Sequence, residues 1–277
     1  MFESLDSSTL SKWERSIVKP NISRQVSILK YFQKITDTAL PCWDNYTADE
    51  TEEMICKVGM KNLLGNSKEI VLNFPSSTME SDDLKVYQLR NSENLEQIID
   101  INIKLDKDFN HNTTQFNSKQ FKEWALHPSS SFYICEYKEQ FFGLMFILRL
   151  KPEVFERIMD LEIDEKDVTV DDFASYEEIG CNHMISFFAM SDKAATMLFI
   201  RYYAHLIANQ KFITEVGVST MMEDAKKLIS SMNLHYHGSK SVGVGLELQT
   251  YRETLPNFLA SEKVVKMILS KQECPEG

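Results

Sequence analysis

The stretch from Glu178 to Gln210, EIGCNHMISFFAMSDKAATMLFIRYYAHLIANQ, constrains the fold more than any other part of the chain. Ile179 to Met190 is apolar almost without interruption, and with Ile185, Phe187 and Phe188 in so short a run it reads as a strand buried on both faces. Ser191 and Asp192 are helix-capping types. Beyond them Met197, Ile200, Tyr203 or His205, and Ile207 recur at helical spacing until Asn209 and Gln210 stop the pattern. A strand, a tight turn and a helix in this order present the N–H groups of the helix's first turn beyond the carboxyl end of a central strand. Backbone alone can hold a phosphate-bearing ligand there.

The surrounding segments supply a sheet for that strand. Leu84 to Arg90 alternates as a strand does, Ser92 to Leu105 is helical with Leu95, Ile98, Ile99 and Ile103, and Ser118 to Leu126 is a second short helix. Ser131–Glu136 and Phe141–Leu150 read as a hairpin around Tyr137-Lys138-Glu139-Gln140. Residues 151–178 form an acidic insertion, read as a solvated face because an EF-hand's glycine and ligand spacing are missing. Past the central strand and helix come a strand (Phe212–Ser219), a helix (Met222–Met232) and a final strand (Gly243–Thr250). The expected fold class is α+β: a mixed-sheet αβ sandwich behind a short N-terminal helical region.

Composition excludes several classes. The chain has 277 residues and a formal net charge of −11, so it is not built to coat nucleic acid. The first 35 residues differ, with six lysines and arginines against three carboxylates, which places the acidity downstream. Five cysteines, scattered and without CxxC spacing, fit reduced thiols in a cytoplasmic protein. No apolar run is long enough to span a membrane, and the first residues lack the character of a signal peptide, so no membrane partner is expected.

At the N-terminus, Asp6 can cap a helix over Ser7–Arg15, and after Pro20 and Asn21 a second helix carries Ile22, Val26, Leu29 and Phe32 on one face. Ser4 to Pro20, with Thr9, Leu10, Ser11, Trp13, Glu14 and Pro20 in register, closely resembles the Cro/repressor (Xre-type) helix-turn-helix family around its recognition helix. Ser16 stands where that family usually has a helix-ending glycine. The resemblance implies DNA as a partner, with Ser7, Ser8, Thr9 and Lys12 facing the major groove and Lys19 near phosphate, and a homodimer on a two-fold site. The family's first two helices would precede Ser4, so the helix-turn-helix is expected to be partial. Thr47, with Glu50 three residues on, opens a capped helix carrying Met54, Ile55 and Val58, which Gly65 ends. The polar joint at 75–83 suggests a boundary. The expected division is 1–35, partial helix-turn-helix; 36–83, helical connecting region; and 84–277, a sandwich domain with a C-terminal extension.

The element order over residues 84–250, with the Asn233–Gly238 exit from the last helix, resembles the GNAT acyltransferase superfamily. That resemblance implies a site for acetyl-CoA or another acyl-CoA at Phe188, Ala189, Met190, Ser191, Asp192, Lys193, Ala194, Ala195 and Thr196, the stretch matching the family's pyrophosphate loop. Ala194 replaces the loop's central glycine, and Asp192 brings a negative charge toward a negative ligand. Ile229 stands where the family's proton-donating tyrosine is expected. Glu177 and Glu178, before the central strand, are candidates for a general base, against the plainer reading of solvated carboxylates.

Remaining constellations are thin. His235 and His237 share a strand face, but no cysteine or spaced carboxylate completes a metal site, and no metal is expected. Cys181 and His183 share one too, inside an apolar strand where a core thiol and a satisfied imidazole are the ordinary reading. Three functions compete. The first is a transcriptional regulator joining a repressor-type helix-turn-helix to a GNAT-like acyl-CoA-binding or sensory domain. The second is an active N-acyltransferase using acetyl-CoA, and the third a non-catalytic protein-interaction module.

Overall fold

The computed structural model describes residues 7–15, 17–40, 46–64, 84–89, 95–109, 117–243 and 245–269, the side chains of 106–109 and 269 excepted. The expected helix end at Gly65 and the polar joint at 75–83 lie outside the described residues. Helices α1 (Ser7–Glu14) and α2 (Ile22–Thr36) lead into α3 (Ala48–Gly59) and a π turn (Met60–Leu64). There follow β1 (Leu84–Gln88), α4 (Leu95–Phe109), α5 (Ser118–Leu126), β2 (Ser131–Tyr137), β3 (Gln140–Leu150), α6 (Pro152–Met159), β4 (Gly180–Ala189) and α7 (Asp192–Ala208). The chain continues through β5 (Ile213–Thr220), α8 (Glu223–Ser231), β6 (His235–Gly243), β7 (Leu246–Thr254), α9 (Leu255–Leu259) and α10 (Glu262–Leu269).

The strands make one 7-stranded sheet in the order β1-β2-β3-β4-β5-β7-β6. Only β4 and β5 run parallel, because α7 carries the chain back across the sheet between them, while every other neighbouring pair is antiparallel. The expected α+β class and the mixed sheet are what the structure has. One core lies between the sheet and α7 with α8 and α9, and another between the opposite face and α4, α5 and α6.

Local chemistry explains the helix starts. Thr47 caps α3 through a reciprocal capping box, its hydroxyl accepting the Glu50 N–H at 3.3 Å while the Glu50 carboxylate accepts the Thr47 N–H at 2.9 Å. Asn21 caps α2 by accepting the Arg24 N–H at 2.9 Å. The two helices expected at the N-terminus are present: α1 buries no residue, and Trp13 is half-buried with the Arg24 guanidinium 5.6 Å from its ring centre. The far end of α2 is tied down by Gln33, whose amide donates to the Ala39 and Pro256 carbonyls at 2.7 Å each. Gln210 exchanges bonds with the Leu40 N–H at 2.7 Å and the Leu40 carbonyl at 3.1 Å.

Two sequence expectations are corrected. The acidic insertion is not a solvated face throughout. It contains α6, opened by Pro152, whose Val154, Phe155, Ile158 and Met159 are buried against the sheet while its acids face water. Its last part folds into two 3-10 turns, Glu165–Asp167 and Val170–Asp172. The single final strand is in fact a β6–β7 hairpin, because β6 buries none of its residues and so carries no apolar pattern to read.

α6 comes close enough to the sheet to demand a glycine beneath it. A Cβ at Gly217 would lie 2.7 Å from two atoms of the Phe155 ring and 2.8 Å from the Met159 sulfur. Gly217→Ala is therefore expected to destabilise the fold by about 1–3 kcal/mol through overpacking, read as a lowered midpoint in urea unfolding with an unchanged slope.

Candidate functional site

The centre of the sheet opens into a cleft. β4 and β5 pair from Gly180↔Ile213 to Met184↔Val218, and there the pairing stops. On its other side β4 stays paired with β3 to Ala189, but with a bulge: Met184 faces Ile147 and Ser186 faces Phe146, leaving Ile185 as the extra residue. A bulge bends the strand that holds it, and β4 turns away from β5 at that residue. The gap is a cavity of about 150 Å³, walled by Met184 to Phe188 on one side and Val218 to Thr220 on the other. It reaches both faces of the sheet, since Ala225, Leu228 and Ile229 of α8 and Asn102 of α4 also line it.

The wall is mostly apolar, with Ser186, Ser219, Thr220 and Asn102 as its polar side chains. Asn102 is 2% exposed, and its Nδ2 has no hydrogen-bond partner among the described residues. A buried amide donor left over in this way is unusual and costly. Ile229, in the position where the resemblance expects a phenol, is buried in this lining, and no phenol, thiol or imidazole is among the lining side chains.

At the far end of β4 the strand–turn–helix junction forms as the sequence suggests. Ser191 is the N-cap of α7, its hydroxyl accepting the Ala194 N–H at 3.2 Å, and its carbonyl accepts the Ala195 N–H at 2.9 Å. Ala194 and Ala195 are fully buried and Thr196 nearly so, with the Thr196 hydroxyl donating to the Asp192 carbonyl at 2.7 Å. The methyl groups at 194 and 195 therefore point into the core, where they would not meet a ligand, and those two N–H groups are already used. Asp192 and Lys193 are the half-exposed side chains of the first turn. Before it, Phe188 lines the cleft, Ala189 is buried, and Met190 is exposed with its N–H on the Phe142 carbonyl at 2.9 Å.

Glu177 and Glu178 are exposed at the opposite end of β4. A strand rises about 3.3 Å per residue, so the cleft beginning at Ile185 is roughly 20 Å further along. The Glu178 carboxylate accepts the Ser175 N–H at 2.8 Å, and that backbone bond holds its pKa below the ordinary value.

The structure brings together a pair that sequence reasoning missed. His183 is completely buried on the α6 side of β4, and its Nε2 lies 2.5 Å from Oε1 of Glu165, in the first 3-10 turn of the acidic insertion. Glu165 borders a second cavity of about 270 Å³, of which Ser219 is also a wall. Ser219 lines the cleft as well, so the two spaces are neighbours across the end of β5. Sequence offered only the strand-face spacing of Cys181 and His183. Burial pushes the Cys181 thiol up to about 11, which removes it as a nucleophile near neutral pH. His235 and His237 each meet a different carboxylate, Glu253 at 2.6 Å and Asp160 at 2.7 Å, and no group suited to a metal ion exists among the described residues. Ser7, Ser8, Lys12 and Lys19 are exposed and Thr9 is half-buried, all on α1 and the turn after it.

No family model matches this chain, and no curated protein does. Among solved structures, similarity is found to FeeM, an N-acyl amino acid synthase from uncultured soil microbes, at 13% identity over 64% of this chain and 94% of that one, with a TM-score of 0.45. An N-acetyltransferase from Staphylococcus aureus Mu50 is similar at 11% identity over 63% of this chain and 99% of that one, TM-score 0.40. Arabidopsis thaliana NAA60 in complex with acetyl-CoA is similar at 10% identity over 62% of this chain and 99% of that one, TM-score 0.44.

Removing the Glu165 side chain takes away the one described hydrogen-bond partner of a fully buried imidazole. Glu165→Ala is expected to cost about 1–3 kcal/mol of stability, against a smaller loss for Glu165→Gln, which can still bond His183; thermal melts of the two variants make the comparison.

Proposed function

We propose that the chain is a GNAT-type acyltransferase that takes an acyl group from an acyl-CoA thioester and passes it to an amine. The observation that supports this most is the parting of β4 from β5 at Ile185 with the orphaned Asn102 amide in the wall of the gap. From Ile185 onward the side of β4 facing β5 has no strand partner, and its backbone N–H and C=O groups can pair with an extended chain containing amides, as pantetheine does. Acyl-CoA supplies the activated acyl group as its thioester.

In this reading Asn102 Nδ2 donates to the thioester oxygen as negative charge develops there. The Glu165–His183 pair, on the same α4–α6 side of the sheet as Asn102, accepts the proton lost by the attacking amine. The C–N bond forms, the C–S bond breaks, and the sulfur departs as a thiolate. A thiol's ordinary pKa of about 8.5 makes that departure feasible without the missing phenol. The family's glycine-containing loop is not needed for this step; in this reading the half-exposed Lys193 of the first turn meets the pyrophosphate, and Asp192 opposes it. The regulator reading rests on the Ser4–Pro20 resemblance alone, and no feature of α1 or α2 adds to it.

The test is amine-dependent release of free thiol from acetyl-CoA and longer acyl-CoA thioesters. Asn102→Ala is expected to lower kcat on the order of a hundredfold with a near-normal melting temperature. Glu165→Gln is expected to lose a comparable factor at neutral pH. Calorimetric titration showing no CoA binding would overturn the reading and leave an interaction module. Binding without turnover at any amine would leave a ligand-sensing domain.

A further inference from the structure

We propose that a third, larger cavity, closed by α2, α7, α8 and α10, binds a small amphipathic anion: an apolar body with one carboxylate or phosphate head. Its volume is about 540 Å³, and it shares no lining residue with the cleft between β4 and β5. One wall is apolar, built from Val26 of α2, Leu63 of the π turn, and Phe199 and Ile200 of α7. The lining also carries Lys30, one turn beyond Val26 on α2, and Lys263 and Lys266 of α10, with Glu262 the one carboxylate among the lining residues. In a chain of net charge −11, three lysines around one acid are a local reversal of sign.

Two polar groups lack a fitting counterpart. Lys263 is half-buried, and its one described hydrogen bond goes to the neutral Ser231 hydroxyl at 2.8 Å. Burial pushes its ammonium pKa down. A cation withdrawn from water against a neutral acceptor is under-compensated, and an anion in the cavity would restore what it lost. Tyr203, 3% exposed, also lines the cavity, and its hydroxyl has no partner among the described residues. A head group near Lys263 with a tail along Phe199 and Ile200 uses both ends of the space. α2 and α10 lie outside the 84–250 series that forms the cleft, so this site depends on the added segments and stands or falls independently of acyl transfer.

The probes are decanoate, decyl phosphate, decanol and inorganic phosphate, titrated calorimetrically into the full chain, with CoA as a competitor and melts in parallel. Saturable one-to-one binding of decanoate or decyl phosphate is expected, raising the melting temperature, and the tighter of the two identifies the head. Decanol and inorganic phosphate should each bind far more weakly. Lys263→Met keeps length and apolar contact and should weaken binding about tenfold or more, the loss of one charge-assisted hydrogen bond. Lys30→Met, on the exposed side of α2, gives a second reading if the first variant folds poorly, with a several-fold loss expected. The proposal is overturned by no saturable binding, by unchanged affinity in both variants, by equal binding of inorganic phosphate, or by displacement with CoA.

Discussion

β4 is held on both sides from Gly180 to Met184 and on one side from Ile185 onward, and the candidate site follows from that asymmetry. A strand inside a sheet normally spends all its backbone groups on its neighbours. The bulge at Ile185 turns β4 away while its bonds to β3 keep it extended to Ala189, so an edge is created in the middle of the sheet without loss of order. Because the gap passes between two central strands, elements from both faces reach it: α8 from one side, α4 from the other.

α7 is the second element on which the molecule depends. Thirteen residues of its 17 are buried, more than one sheet-facing stripe can account for. The excess is covered by the segments flanking the sandwich: α3 packs along α7, and α10 packs on α3 and α2. The close approach is visible at Gly59, where a Cβ would come within 2.9 Å of Met267 and 3.0 Å of Ile200. The N-terminal and C-terminal helices thus form a further layer outside α7, and the lysine-lined cavity lies between that layer and α7 and α8. Helix α7 borders that cavity through Thr196, Phe199, Ile200 and Tyr203.

The parts legible in the sequence are those decided by neighbours along the chain. The Thr47–Glu50 capping box, the Ser191 cap, the apolar run of β4 and the hairpin at 137–140 are all local patterns, and each is present in the fold. The acidic insertion was opaque for a definite reason: its carboxylates are as many as its apolar residues, and the four apolar residues that make the buried stripe of α6 are spaced along only eight residues. β6 was opaque because a strand at the sheet's edge with no buried residue carries no alternation.

By itself, the sequence determined the α+β class, the strand–turn–helix at its centre and the positions of most helix starts, because capping and periodicity act over a few residues. Only the tertiary structure decided which polar groups meet. His183 and Glu165 are 18 positions apart and join through a turn folded back over the sheet; Asn102 becomes an orphan only when α4 covers the gap. The lysines of α2 and α10 converge although more than 200 residues separate them. Such pairings arise from the packing of whole elements, which no local pattern encodes.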